Sequence, residues 1–236
     1  MSVDEFLGTR RDLVPIGKAL IAISLLVYEQ EGHLYRGNCN PSWLQVLSAR
    51  LDAPVNEWGR NRLSIITFNY DRVVEYFLHS SLVYRFHISN DEATALLRSA
   101  VRVLHLHGQL GNFHGLGDGE PRQFGPQLTA PLIKIAAEGI RIIHEGDPES
   151  AAFVEARGLL SSAHEVVFMG FGYGVTNMSR LQLGTILHGK RVLGSSIKMN
   201  QVERAQATAR AGSHLRLAVR HESLTDFLRE NTVLAG

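Results

Sequence analysis

The sequence predicts an α/β fold, a parallel sheet with helices on both faces and a small helical lobe beside it. Three observations lead there. From residue 63 onward, short apolar runs alternate with helical stretches. The apolar runs are continuous, as in Ile65-Ile66 and Val166-Val167-Phe168-Met169. Strands covered on both faces read that way, whereas half-exposed strands alternate. Before residue 63 only helical patterns occur.

Taken in order, Ser2-Val3-Asp4-Glu5-Phe6-Leu7 reads as a short capped helix. A stronger one follows, with Asp12 as its N-cap and Leu13, Ile16, Leu20, Ile23 and Val27 at helical spacing. Most of its faces are apolar, so it is expected to be largely buried. Gly32 to Asn40 reads as loop, Pro41 opens a helix carrying Trp43, Leu44, Val46, Leu47 and Leu51, and 54–62 is a connection. Strands are expected near 63–68, 102–107, 139–143, 165–169, 191–195 and 215–219. Helices are expected near 71–80, 90–100, 127–137, 149–161, 176–188, 200–211 and 222–230. Residues 1–62 thus form a helical segment packed on the sheet and 63–236 the α/β part, one continuous domain overall. The stretch Gly108 to Gly119 holds five glycines in twelve residues and reads as a mobile surface loop.

Composition narrows the function classes. With 44% hydrophobic residues, the chain can bury a sizeable core. A net charge of +1 without a long basic run argues against direct nucleic-acid binding. The single cysteine, Cys39, excludes an intramolecular disulfide and a four-cysteine zinc site, and fits a reducing compartment. The longest predominantly apolar run, Ala19 to Tyr28 with Ser24 inside it, is ten residues, too short to span a bilayer. No charged leader with a cleavable apolar core opens the chain, so a cytoplasmic location is expected.

The strand ends carry the unusual residues. Leu63 to Phe68 runs into Asn69-Tyr70-Asp71 and then a helical stripe of Val73, Val74, Phe77 and Leu78. Those polar groups sit at the carboxyl end of a strand, where open α/β sheets bind ligands; alternatively, Asn69 and Asp71 only close the turn and cap the helix. His105 and His107 fall on one face of the next strand, and Gly108 permits a turn or a close approach. That pair lacks a third ligand of suitable spacing, so no metal is expected. His107 is a candidate general base, or else a histidine satisfied by a backbone carbonyl. Gly170-Phe171-Gly172-Tyr173-Gly174 links a strand to a helix, which suits an anionic group. It departs from the dinucleotide fingerprint in having Val175 at the third glycine and no acidic residue about 20 positions on. Gly194-Ser195-Ser196 ends a further strand. These strand ends are expected to converge on one crevice.

Thr67-Phe68-Asn69-Tyr70-Asp71, His105-Leu106-His107-Gly108 and Phe168-Met169-Gly170-Phe171-Gly172-Tyr173, in that order, resemble the bacterial SIR2-like, or sirtuin-related, family. The likeness runs from about residue 2 to residue 230. It implies a sirtuin-like, Rossmann-like fold that binds NAD as substrate and hydrolyses its nicotinamide–ribose bond, often as an anti-phage effector. By that resemblance Asn69 orients the ribose or the attacking water and His107 is the general base. Thr67, Phe68, Asp71, Gly108, Gly170, Phe171, Gly172 and Ser195 would line the nucleotide site. The lone cysteine sets the chain apart from zinc-dependent protein deacetylases. The family also opens with a strand, glycine loop and helix that cradle the dinucleotide phosphates, and this chain begins downstream of that unit. The expectation is a truncated form of a longer protein, or weakened NAD binding, with a strand edge open to a homo-oligomer or a partner protein. The alternative function is a catalytically silent nucleotide-binding or oligomerisation module.

Overall fold

The computed structural model describes residues 3–35, 41–142, 148–212, 214–218 and 223–231. Ser2, Cys39, the outer ends of the expected strands at 143 and 219, and the start of the expected helix at 222 lie outside them. The fold is mixed α/β, with helices and two short parallel sheets. Among the described residues five strands form: β1 Leu63–Thr67, β2 Val101–His105, β3 Glu165–Phe168, β4 Arg191–Gly194 and β5 Leu215–Leu217. β1 pairs with β2, while β3, β4 and β5 pair in that order. The sequence expectation was one sheet of six strands; among the described residues there are five strands in two sheets. Among the described residues, the run at 139–142 forms an isolated antiparallel bridge, Gly108 to Ile140, in place of a strand. Ile140 and Ile142 are buried, so their apolar side chains serve the core without a ladder.

The chain groups into two compact units, one of residues 1–38 and 51–147, the other of 39–50 and 148–236. In the first, the helix Val14–Leu26 packs on the helix Ala130–Glu138. Their seam is Ala22, Leu26, Leu110, Ala136 and Ile140, with Tyr70 and Ile133 against it. The helix Val14–Leu26 departs from expectation: Ile16 and Leu20 are 61% and 59% exposed. Only Gly17, Ala22 and Leu26 are buried on it. Asp12 does not cap it either, being paired with Arg10 in a preceding 3₁₀ turn. The helix Val73–Phe86 follows β1 and packs on the helix Asn90–Ala100. Ser89 and Glu92 close a capping box at the start of the latter, satisfying backbone donors the helix cannot.

In the second unit, the helix Leu224–Glu230 packs on the helix Trp43–Arg50. Phe227 and Leu228 are the buried centre, covered by Trp43, Val46, Val167 and Leu193. Asn200 and Glu203 form a second capping box, opening the helix Gln201–Ala211. The expected helix at 176–188 is instead two pieces, Val175–Arg180 and Leu183–Ile186. Gln182, left-handed at φ 53°, breaks it.

The glycine-rich stretch, expected at the surface, is partly enclosed: His114, Gly115, Asp118 and Gly119 are exposed. Leu110, Phe113 and Leu116 are buried within it. Gln109 donates from its amide to the carbonyls of Gly111 and Asp118. Behind it lies a buried ionic triad. Glu29 accepts from Arg72 at 3.1 and 2.8 Å and from Arg122, and all three side chains are almost wholly enclosed.

Candidate active site

Because β1 and β2 are parallel and in register from Leu63↔Val101 to Thr67↔His105, their carboxyl ends finish level. Leu106 N–H donates to the Thr67 carbonyl at 2.9 Å, carrying the pairing one residue further. Asn69 and His107 therefore each stand two residues past the last matched pair. Asn69 is exposed, and its N–H donates to Thr67 Oγ1 at 3.0 Å. His107 is buried, only 3% exposed, with the Phe68 ring 5.5 Å away between centroids.

Asp71 caps locally, its Oδ1 accepting from Val73 N–H at 3.3 Å. Burial raises its pKa above the ordinary carboxylate value, against that hydrogen bond and the nearby His105 charge. Gly108 takes a left-handed φ of 78°, and an added Cβ would lie 2.0 Å from the Gly139 carbonyl oxygen. The close approach the glycine permits is thus of the protein's own backbone. Gln109 N–H donates to that carbonyl, and Arg141 N–H to the carbonyl of His107. Gly108→Ala is expected to cost about 1–3 kcal/mol from φ alone, more with the clash. Gly172→Ala, with nothing within 4 Å of the added methyl, should stay within about 0.5 kcal/mol, and urea unfolding of both variants checks the contrast.

The sequence reading missed Glu75. His105 bridges its carboxylate and the site loop: Nε2 lies 2.7 Å from Glu75 Oε1 and Nδ1 2.8 Å from the Asn69 carbonyl. Glu75 is 2% exposed, and its Oε2 has no hydrogen-bond partner among the described residues. Burial depresses the His105 pKa, but the hydrogen bond and charge of Glu75, the Asn69 carbonyl and Asp71 together outweigh it and raise it. Both ring nitrogens then donate, and the imidazolium ties Asn69 to the helix Val73–Phe86.

That raised pKa has a definite sign. The pair's stabilisation is fully present below the unfolded histidine value of about 6.5 and is lost as pH rises through the higher folded value. The stability difference between wild type and His105→Gln, measured by urea unfolding across that window, should shrink with rising pH. A constant difference would show that His105 carries no charge in the fold.

The remaining predicted residues sit in the other unit. Phe168, Phe171 and Tyr173 form an aromatic cluster at the end of β3, with centroids 5.1 to 5.8 Å apart. Gly170, at φ 63°, donates its N–H to Ser195 Oγ at 2.8 Å, and Ser195 N–H donates to the Phe168 carbonyl at 2.8 Å. The Tyr173 side chain is enclosed, its hydroxyl donating to the Ser195 carbonyl at 3.0 Å. It fills the space over Gly194, where an added Cβ would meet the Tyr173 oxygen at 2.0 Å. Burial raises the Tyr173 pKa, keeping the phenol neutral and a donor. Gly172 and Gly174 have open space above them.

The predicted residues thus fall into two sets: Thr67, Phe68, Asn69, Asp71, His107 and Gly108 in one unit, and Gly170, Phe171, Gly172 and Ser195 in the other. Among the described residues, no group of three or more His, Cys, Asp or Glu side chains is placed to hold a metal ion. Nor, among them, is any helix long and apolar enough to cross a membrane. Comparison with protein-family models, with curated proteins and with solved structures returned no match in any of the three.

Proposed function

We propose that the chain is a SIR2-like NAD glycohydrolase on a Rossmann-like scaffold, cleaving the nicotinamide–ribose bond. The observation that carries the reading is the level placement of Asn69 and His107 beyond adjacent parallel strands, with Phe68 against the imidazole. Ligands of open α/β sheets bind at that rim. The chemistry asks little of the protein. The C1′–N bond breaks with its electron pair going to the pyridinium ring, so nicotinamide leaves neutral without a general acid. Water forms the new C–O bond, and its proton passes to His107. Asn69 contributes by orientation, where small displacements are costly. Its loop is held through the carbonyl by His105.

A second reading, a nucleotide-binding or assembly module without turnover, is favoured by the burial of His107 and by the Tyr173 side chain over Gly194. One experiment separates the two. The chain is incubated with NAD and, separately, with NADP, while nicotinamide and ADP-ribose (or its phosphate) are followed by chromatography and binding by calorimetry. Product release above the buffer rate supports the hydrolase; binding heat with no release supports the silent module.

A further inference from the structure

We propose that the amino-terminal ends of β4 and β5 form a separate site for a small molecule carrying a diphosphate group. A recess of about 380 Å³ opens there, lined by Lys190, Arg191, Val192, His214 and Arg216. Its volume falls at the small end of ligand sites, roughly 300–1,000 Å³. That suits a compact anion better than an extended polymer. The site lies at the opposite ends of these strands from Gly170, Gly172 and Ser195, and so goes beyond the hydrolase reading.

Sheet register builds the recess. Val192 pairs with Leu215, so Arg191 and His214, each one residue earlier, stand side by side at the strand entrances. Arg216 lies opposite Leu193 and is exposed. Two backbone carbonyls, of Ser161 and Ala163, each accept from the Lys190 ammonium at 2.7 Å. They fix its position and leave one of its three donors for a ligand. The His188 ring packs against that of His214, 4.9 Å between centroids, steadying the imidazole at the rim.

Charge points to an anion. Lys190, Arg191 and Arg216 supply three fixed positive charges, and Glu165, paired with Arg191 at 3.2 Å, returns one negative. These four side chains sum to +2, while the whole chain is +1, from 24 basic and 23 acidic side chains. Everything else therefore sums to −1. A cationic excess gathered around one concave spot raises the local concentration of anions. Guanidinium groups also match phosphate oxygens in a planar, two-point fashion.

The test titrates the full chain with inorganic pyrophosphate by calorimetry at low and at physiological salt. Saturable binding is expected, weaker at the higher salt. Arg216→Glu should weaken it at least tenfold, and the milder Arg216→Gln should weaken it less. Arg11→Glu, an exposed reversal in the other unit, should leave it unchanged. Circular dichroism of each variant confirms the fold, and Arg216→Gln keeps the test valid if the reversal unfolds the edge strand. Absence of binding at millimolar pyrophosphate overturns the proposal. So does equal binding by both Arg216 variants, or tighter binding of a single-stranded oligonucleotide at the same residues.

Discussion

Replacing His107 by alanine is expected to lower nicotinamide release ~10²–10⁴-fold, the usual contribution of a positioned general base. In free-energy terms that is about 3–5 kcal/mol of transition-state stabilisation. The loss should appear in kcat as well as kcat/KM, because the proton moves only during the chemical step. Since His107 is enclosed, alanine also leaves a cavity, and part of any effect would be structural. His107→Gln separates the two. It keeps most of the volume and a hydrogen-bonding end, yet offers no base of useful strength near neutral pH. Both variants should fall to a similar residual rate while the glutamine form melts close to wild type. Asn69→Ala, at an exposed position, should reduce turnover with little change in melting. If the glutamine variant turns over NAD at the wild-type rate, His107 is a packing residue and the hydrolase assignment loses its base.

What the sequence disclosed follows from how local each signal was. Five of the six expected strands and most helices after residue 71 were readable because strand and helix periodicities are local, but the helix expected at 71–80 runs on to Phe86 and the one at 176–188 breaks in two. Strand neighbours are not local. Nothing in Ile65-Ile66 or Val166-Val167 states which strand lies alongside, and the expected single sheet gave way to two. The helix Val14–Leu26 misled for a related reason: Ile16 and Leu20 were counted as core because they are apolar, yet they are exposed. At the site, Asn69 and His107 were marked by their place at strand ends, although His107, read as part of its strand, lies two residues beyond it. Glu75 was not, since one acidic residue in the first turn of a helix reads as an ordinary dipole partner. Only the fold brings it to His105, 30 residues on. The triad was the least legible feature, with Glu29 lying 43 residues from Arg72 and 93 from Arg122. No window of sequence contains it.

That triad makes Glu29→Ala the most destabilising substitution expected in the first unit. The carboxylate is the only acidic group hydrogen-bonded to either guanidinium among the described residues, and Arg72 is 0% exposed. Removing it leaves two enclosed cations facing one another; already burial, then the charge of Arg72, lower the Arg122 pKa despite Glu29. Breaking a buried ion pair from one side costs about 3–5 kcal/mol, against roughly 5–15 kcal/mol for a whole domain. Urea unfolding should show that loss for Glu29→Ala, while Glu31→Ala, exposed two residues away, should lose under about 0.5 kcal/mol. A triple change of Glu29, Arg72 and Arg122 to methionine tests the cause. Were charge the whole effect, apolar replacement would restore stability. Here recovery should be partial, because the guanidiniums also donate to the carbonyls of Leu110, Arg122 and Gln123. Each carbonyl left without a donor costs about 1–3 kcal/mol. Those carbonyls belong to the segment around the glycine-rich stretch, so limited proteolysis should cut first between residues 108 and 125 in both variants. A Glu29→Ala protein as stable as wild type would mean that the two guanidiniums find other counter-charges and that the triad does not hold this segment.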